Sequence, residues 1–282
     1  MIAFEPLAKL SKDLAKSKMT VSEMRYAVDL YYQIQDFRKA AENQVRAEDE
    51  VDNPAGLLSW TAENMRLIEN GIKKALSHAI LGYPVTEWCL SVCGIGPVIT
   101  AGLLAHIDFN KAPTPSHIWR FAGLDPTIKW EKGKPRPFNM KLKTLCAFKI
   151  GESFVKVQNN EKDFYGKLYR QRKDEEVEKN LIGGFGEQAK KVLEEKSYKK
   201  ATVAKDKYEA GMLPDAHLHA RARRYAVTMF LAHYHLVGYW LQFNKLPPKP
   251  YAIEHLGHAH IILPPNREIV PGLDKALDRE WR

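Results

Sequence analysis

Val92-Cys93-Gly94-Ile95-Gly96-Pro97-Val98-Ile99-Thr100-Ala101-Gly102-Leu103-Leu104 holds a helix end, a tight turn and a helix start in one short stretch. The apolar run closes at Val92-Cys93, and Gly-Ile-Gly makes a turn with little room for side chains. Both glycines are free to take positive φ and to bring the backbone close to another surface. Pro97 suits the first turn of the next helix, where its missing N–H is no loss. The N–H groups at that helix start, around Gly94, Ile95, Gly96 and Val98, have no intrahelical acceptor and form an anion site. The alternative is a plain corner between two packed helices.

Working outward, the sequence on the amino-terminal side reads as helix. Thr20-Val21-Ser22-Glu23 is a capping box, in which Thr20 and Glu23 satisfy each other's backbone N–H groups. Met24, Val28, Tyr31, Ile34, Phe37, Ala41 and Val45 then recur at a mean step of about 3.5 residues, the coiled-coil period. Glu48 to Gly56 breaks the pattern. A second helix from Leu57 to about Leu81 carries Trp60, Met65, Ile68, Ile72, Ala75 and Ala79 inward. The pair is a long antiparallel hairpin or dimerisation arm, or else part of an ordinary bundle. A short helix over Val85–Val92 leads into the turn, and Gly96–Ile107 forms the helix after it.

On the carboxy-terminal side, Ser116 can cap a short helix through Ala122, and Gly123-Leu124-Asp125-Pro126 ends it. Lys129-Trp130-Glu131-Lys132-Gly133-Lys134-Pro135-Arg136 follows as a short basic β-hairpin or extended loop. Helical spacing returns over Asn139–Val157 through Leu142, Leu145, Phe148 and Ile150. Phe164–Leu193 is charged helix interrupted at Gly183-Gly184-Phe185-Gly186. Lys190–Lys207 is a solvated polar run. A strong helix runs from Pro214-Asp215 to Phe243, and the tail from Tyr251 is loop with one short strand at His260–Leu263.

The net charge of +9 is localised. Asn110 to Lys173 holds 15 Lys/Arg against 5 Asp/Glu, an excess of ten, so the remainder is nearly neutral. Such clustering is the footprint of a polyanion partner, or of a basic solvated surface. Lys129, Lys132, Lys134, Arg136, Lys141 and Lys143 form the densest part and suit a salt-sensitive phosphate clamp. Trp130 and Phe138 flank it, able either to stack on bases or to anchor the loop on the core.

Other chemistry is harder to place. His217, His219, Arg221, Arg223 and Arg224 crowd one helix, with His233 and His235 beyond. His217 and His219 lie two apart and point to different sides, so a cationic face fits better than a shared metal. His255, His258 and His260 have no carboxylates nearby. Cys89, Cys93 and Cys146 are too few for a disulfide framework or a four-ligand zinc site and read as buried thiols of a cytoplasmic protein. No phosphate loop, His-Glu-x-x-His or Gly-x-Ser-x-Gly occurs. No apolar run is long enough to span a bilayer, and the amino terminus lacks a signal-peptide pattern.

Taken together, Gly94-Ile95-Gly96-Pro97-Val98 with Ala101-Gly102-Leu103-Leu104-Ala105-His106-Ile107, then Trp119-Arg120-Phe121-Ala122-Gly123-Leu124-Asp125-Pro126, resembles the carboxy-terminal domain of insertion-sequence 110/116/902 transposases. The resemblance spans about Leu90 to Phe154. It implies a helical, helix-hairpin-helix DNA-binding module that engages DNA ends and builds oligomers. Two departures stand beside it. The family's catalytic serine follows the Gly-Leu-x-Pro turn, yet no serine occurs between Pro126 and Phe138. The family's RuvC-like domain, with metal-holding acidic residues, has no counterpart here. Ser153 is a stray candidate nucleophile without a basic partner.

The expectation is therefore a mainly α protein in three parts: a helical hairpin or arm (1–84), a helix-hairpin-helix module (85–160) and a helical region with an irregular tail (161–282). Its partner is DNA, held by its phosphates without sequence preference, with self-association through the long helices. No membrane, metal, cofactor or catalytic residue is expected. Two rivals remain: a divergent transposase or recombinase whose catalysis lies in this chain or in a partner, and a helical protein-interaction module whose hairpin binds nothing.

Overall fold

A computed structural model describes residues 9–48, 56–128, 130–198, 200–248 and 261–281. The described residues are mainly helical and contain no β-strand. They group into two compact units, Met1–Leu90 with Ile95–Ala112, and Ser91–Gly94 with Pro113–Arg282. The division passes through the Gly94-Ile95 turn.

In the first unit α1 spans Lys12–Ala15, α2 Val21–Glu48, α3 Gly56–Ala79, α4 Thr86–Ser91 and α5 Pro97–His106. The last residue of α4, Ser91, already belongs to the second unit. The capping box forms: Glu23 Oε2 accepts Thr20 N–H at 2.7 Å, and Thr20 Oγ1 accepts Glu23 N–H at 3.2 Å. α2 and α3 pair as a long hairpin. Met24, Val28, Leu76 and Ile80 enclose Val98, Ala101 and Ala105 of α5. α5 is apolar on every side, as a helix must be to stand buried in a core. Arg25 Nε closes its far end by donating to Ala105 O at 2.6 Å.

The α2 stripe departs from its expected line. Phe37 is 67 % exposed, and the α2–α3 seam is polar at that level. Glu69 of α3 accepts from Arg38 Nε at 2.6 Å and Gln35 Nε2 at 2.8 Å. Glu42 in turn bridges Arg38 and Arg66. Burial opposes ionisation of Glu69, but the hydrogen bonds from Arg38 and Gln35 outweigh it and hold the carboxyl below its ordinary range. Placing Arg38 and Gln35 against Glu69 turns Phe37 outward.

In the second unit α6 spans Pro115–Phe121, with Thr114 rather than Ser116 before it and Pro115 at its first position. α7 (Met140–Thr144), a π turn (Leu145–Ile150) and α8 (Gly151–Val157) make one continuous rod. The charged stretch forms α9 (Tyr165–Leu181) and α10 (Gly186–Glu195), followed by α11 (Val203–Glu209) and the long α12 (Asp215–Phe243). α9 and the α7–α8 rod pack on α12, where Phe154, Tyr165, Phe230 and Tyr234 form a fully buried aromatic core. The tail is less irregular than expected, because Leu273–Glu280 forms α13. Ile261–Leu263 is not a strand, and His255, His258 and His260 lie outside the described residues. No described helix is long and apolar enough to cross a membrane.

Candidate nucleic-acid interface

The Gly94–Pro97 turn is built as the sequence implies, with one difference. Only Gly94 takes positive φ (89°); Gly96 is extended at φ −109° and ψ 178°. Gly96 precedes Pro97, the first residue of α5, and its carbonyl accepts Thr100 N–H at 3.0 Å. The Val98 and Ile99 N–H groups therefore lie in the first helical turn, ahead of any intrahelical partner. A Cβ at Gly96 would meet nothing within 4 Å, so the backbone there is open to approach.

Gly94 is enclosed instead. A Cβ on it would stand 3.1 Å from Ser153 Oγ and 3.2 Å from Val157 Cγ2, and Ser153 Oγ donates to its carbonyl at 2.5 Å. Gly94 thus serves a close approach to α8, and Ser153 is a strut for the turn. The side chains of Ile95, Val98 and Ile99 are buried, so the turn offers a ligand chiefly its backbone.

The basic loop is more open. It starts at Gly123, which has φ +62° and lies so close under Phe138 that a Cβ would stand 2.9 Å from the ring. Leu124 is buried, and Asp125 Oδ1 accepts the Thr127 N–H and hydroxyl at 2.9 and 2.7 Å. Those bonds hold the Asp125 carboxyl below its ordinary range. The tip is a tight turn, with Lys134 N–H bonded to Glu131 O at 3.1 Å and Gly133 at φ +89°. Trp130 Nε1 clamps the turn by donating to Lys134 O at 2.8 Å.

Lys132, Lys134 and Arg136 are exposed around this clamp. Lys134 pairs with Glu131 at 2.8 Å, but both side chains are about 70 % exposed, so water weakens the pair and a phosphate can displace it. The Arg136 guanidinium lies 5.3 Å from the Trp130 ring centroid. Trp130 is 43 % exposed and does not anchor on the core. Phe138 is half-buried over Gly123, and Lys143 Nζ sits 4.3 Å from its centroid. Lys141 is exposed on α7, whose start is capped by Asn139. Lys129 lies outside the described residues.

The histidine-rich helix is not the cationic face expected of it. Burial, then Arg221, Arg224 and Lys196, push His217 below its ordinary pKa; burial, then Arg223 and Lys173, do the same to His219. Both rings face tyrosines, His219 with Tyr169 at 2.8 Å and His217 with Tyr208 at 3.5 Å. Arg221 is committed to buried Glu176 at 2.6 Å, shared with Arg172. Arg223 lies against Gly151 and over Phe148. His233 is buried, its Nδ1 against Tyr165 Oη at 2.8 Å and its Nε2 against Ile262 O at 2.7 Å. Among the described residues no group of three or more His, Cys, Asp or Glu is placed to hold a metal.

No family model, no curated protein and no solved structure matches this chain. What it does is therefore to be read from its own residues. Three exposed residues beyond those expected at the site lie in the stretch of sequence that flanks the basic loop. Phe121, Met140 and Phe148 are 44, 39 and 48 % exposed. Phe148 sits on an expected core position, and nothing in the sequence announces the π turn that moves it outward. The aromatic spacing of Phe121, Trp130, Phe138 and Phe148 among lysines was the available signal.

Proposed function

We propose that this chain holds DNA through its phosphates, without reading sequence, and does so chiefly with the basic loop. The observation that carries the reading is the exposed set Lys132, Lys134 and Arg136 on a turn clamped by Trp130, with Lys141 on the helix that follows. A clamped loop spends little entropy on binding, and cations in water suit phosphate contacts. In the first unit, the first-turn N–H groups of α5 offer an uncharged phosphate contact of their own. A role in transposition or recombination is what the resemblance to the transposase module adds, with strand chemistry supplied by this chain or by a partner.

Fluorescence anisotropy with duplex and branched DNA tests the reading. Replacing Lys132, Lys134 and Arg136 together by Ala is expected to weaken both by at least about tenfold. Unchanged affinity contradicts it. A protein-interaction role is the second reading, favoured by Tyr26, Phe37 and Leu57, each more than 65 % exposed on the α2–α3 hairpin. It gains if neither the triple variant nor Gly96→Glu alters DNA binding.

A further inference from the structure

Exposed large aromatic rings are scarce among the described residues: Tyr26, Phe37, Phe121, Trp130 and Phe148. Three of the five fall between 121 and 148, and Met140, also exposed, joins them. Arg120 to Lys149 carries eight Lys/Arg against only Asp125 and Glu131. The segment is also one connected piece. Asn139 N–H bonds Phe121 O at 2.9 Å, Phe138 covers Gly123, and Met140, Thr144 and Phe148 are all exposed at four-residue steps along the rod.

Resting on the DNA-holding reading above, we infer that this segment takes unpaired DNA, with bases stacking on Trp130 and Phe148 while Lys132, Lys134, Arg136 and Lys141 follow the backbone. The chemistry selects the single strand. A duplex keeps its base faces stacked inside and offers outward only phosphates, sugars and base edges, which cations alone would satisfy. Aromatic rings left in water on a cationic surface match a strand whose π-faces are free. The Arg136 guanidinium already lies over the Trp130 ring, adding a cation to the stack. Such stacking tolerates any base, in keeping with binding that does not read sequence.

The test compares an oligodeoxythymidine of about 20 nucleotides with a duplex of the same length at low salt. Wild type binds the single strand more tightly. Phe148→Ala loses about five- to tenfold or more on the single strand, while duplex affinity and the salt dependence of binding stay unchanged; Trp130→Ala, which also releases the loop clamp, weakens both DNAs but costs the single strand about five- to tenfold more than the duplex. Trp130→Phe, which keeps a ring but not the clamp, keeps the preference for the single strand, and unchanged circular dichroism separates lost stacking from lost fold. Equal affinity for both DNAs, or aromatic variants that alter neither or both alike, overturns the single-strand inference and leaves DNA holding intact. Failure to bind either DNA at low salt overturns the reading beneath it, and the inference with it.

Discussion

Two glycines, Gly96 and Gly123, show how differently one residue type can be required. Gly123 combines φ +62° with Phe138 ring atoms where a Cβ would go, so both backbone and space demand glycine. Gly123→Ala is expected to cost about 2–3 kcal/mol and lower Tm by several degrees. Gly96→Ala, at φ −109° in open space, costs less than about 1 kcal/mol. Thermal melts of the two variants check the contrast, and equal losses contradict it.

His233 adds a pH dependence at the same scale. Burial pushes its pKa from 6.5 down to about 4, opposed by the hydrogen bond to Ile262 O. The unfolded imidazole takes up its proton near 6.5 while the folded one stays neutral, so the unfolded state binds more protons between those values. Stability is thus full above pH 6.5 and falls by up to about 3 kcal/mol as pH drops towards 4. His217 and His219 act in the same direction. Denaturant melts from pH 7 to 4 should show this slope, reduced in His233→Gln; an equal slope in that variant contradicts the assignment.

At the scale of elements, much was legible because local signals are strong where helices start. Thr20 with Glu23 marked the start of α2, Pro97 that of α5, and Gly183–Gly186 the break between α9 and α10. What escaped depended on partners. Hydrophobic period placed Phe37 inside, but the outcome was set across the seam by Glu69, which draws Arg38 and Gln35 inward. Period likewise placed Phe148 inside, whereas the π turn makes Leu142, Cys146, Ile150 and Phe154 the buried line. A single inserted residue in the helical winding shifts every later side chain, and no residue type encodes it. The seam itself yields a prediction. Glu69→Ala leaves Arg38 half-buried without its main partner and should destabilise the hairpin by about 3 kcal/mol. A urea midpoint unchanged by that substitution would show the network to be incidental.

For the whole molecule, charge was read more securely than shape. The excess of ten between Asn110 and Lys173 lies, Lys111 apart, in the second unit, and its densest part is the open loop. The candidate site changed emphasis because burial is not written in a motif: Ile95, Val98 and Ile99 lie in the core, Gly94 is tied to Ser153, and His217 and His219 face tyrosines with burial holding their pKa values down. In the proposed reading, phosphate contact then falls mainly to the side chains of the basic loop. The most direct measurement is the slope of log affinity for duplex DNA against log salt concentration. Each phosphate contact contributes about −0.9, so wild type should give about −3 or steeper, and the Lys132/Lys134/Arg136→Ala variant should lose about three contacts' worth of that slope. A flat salt dependence, or one that the triple substitution leaves unchanged, would contradict the account.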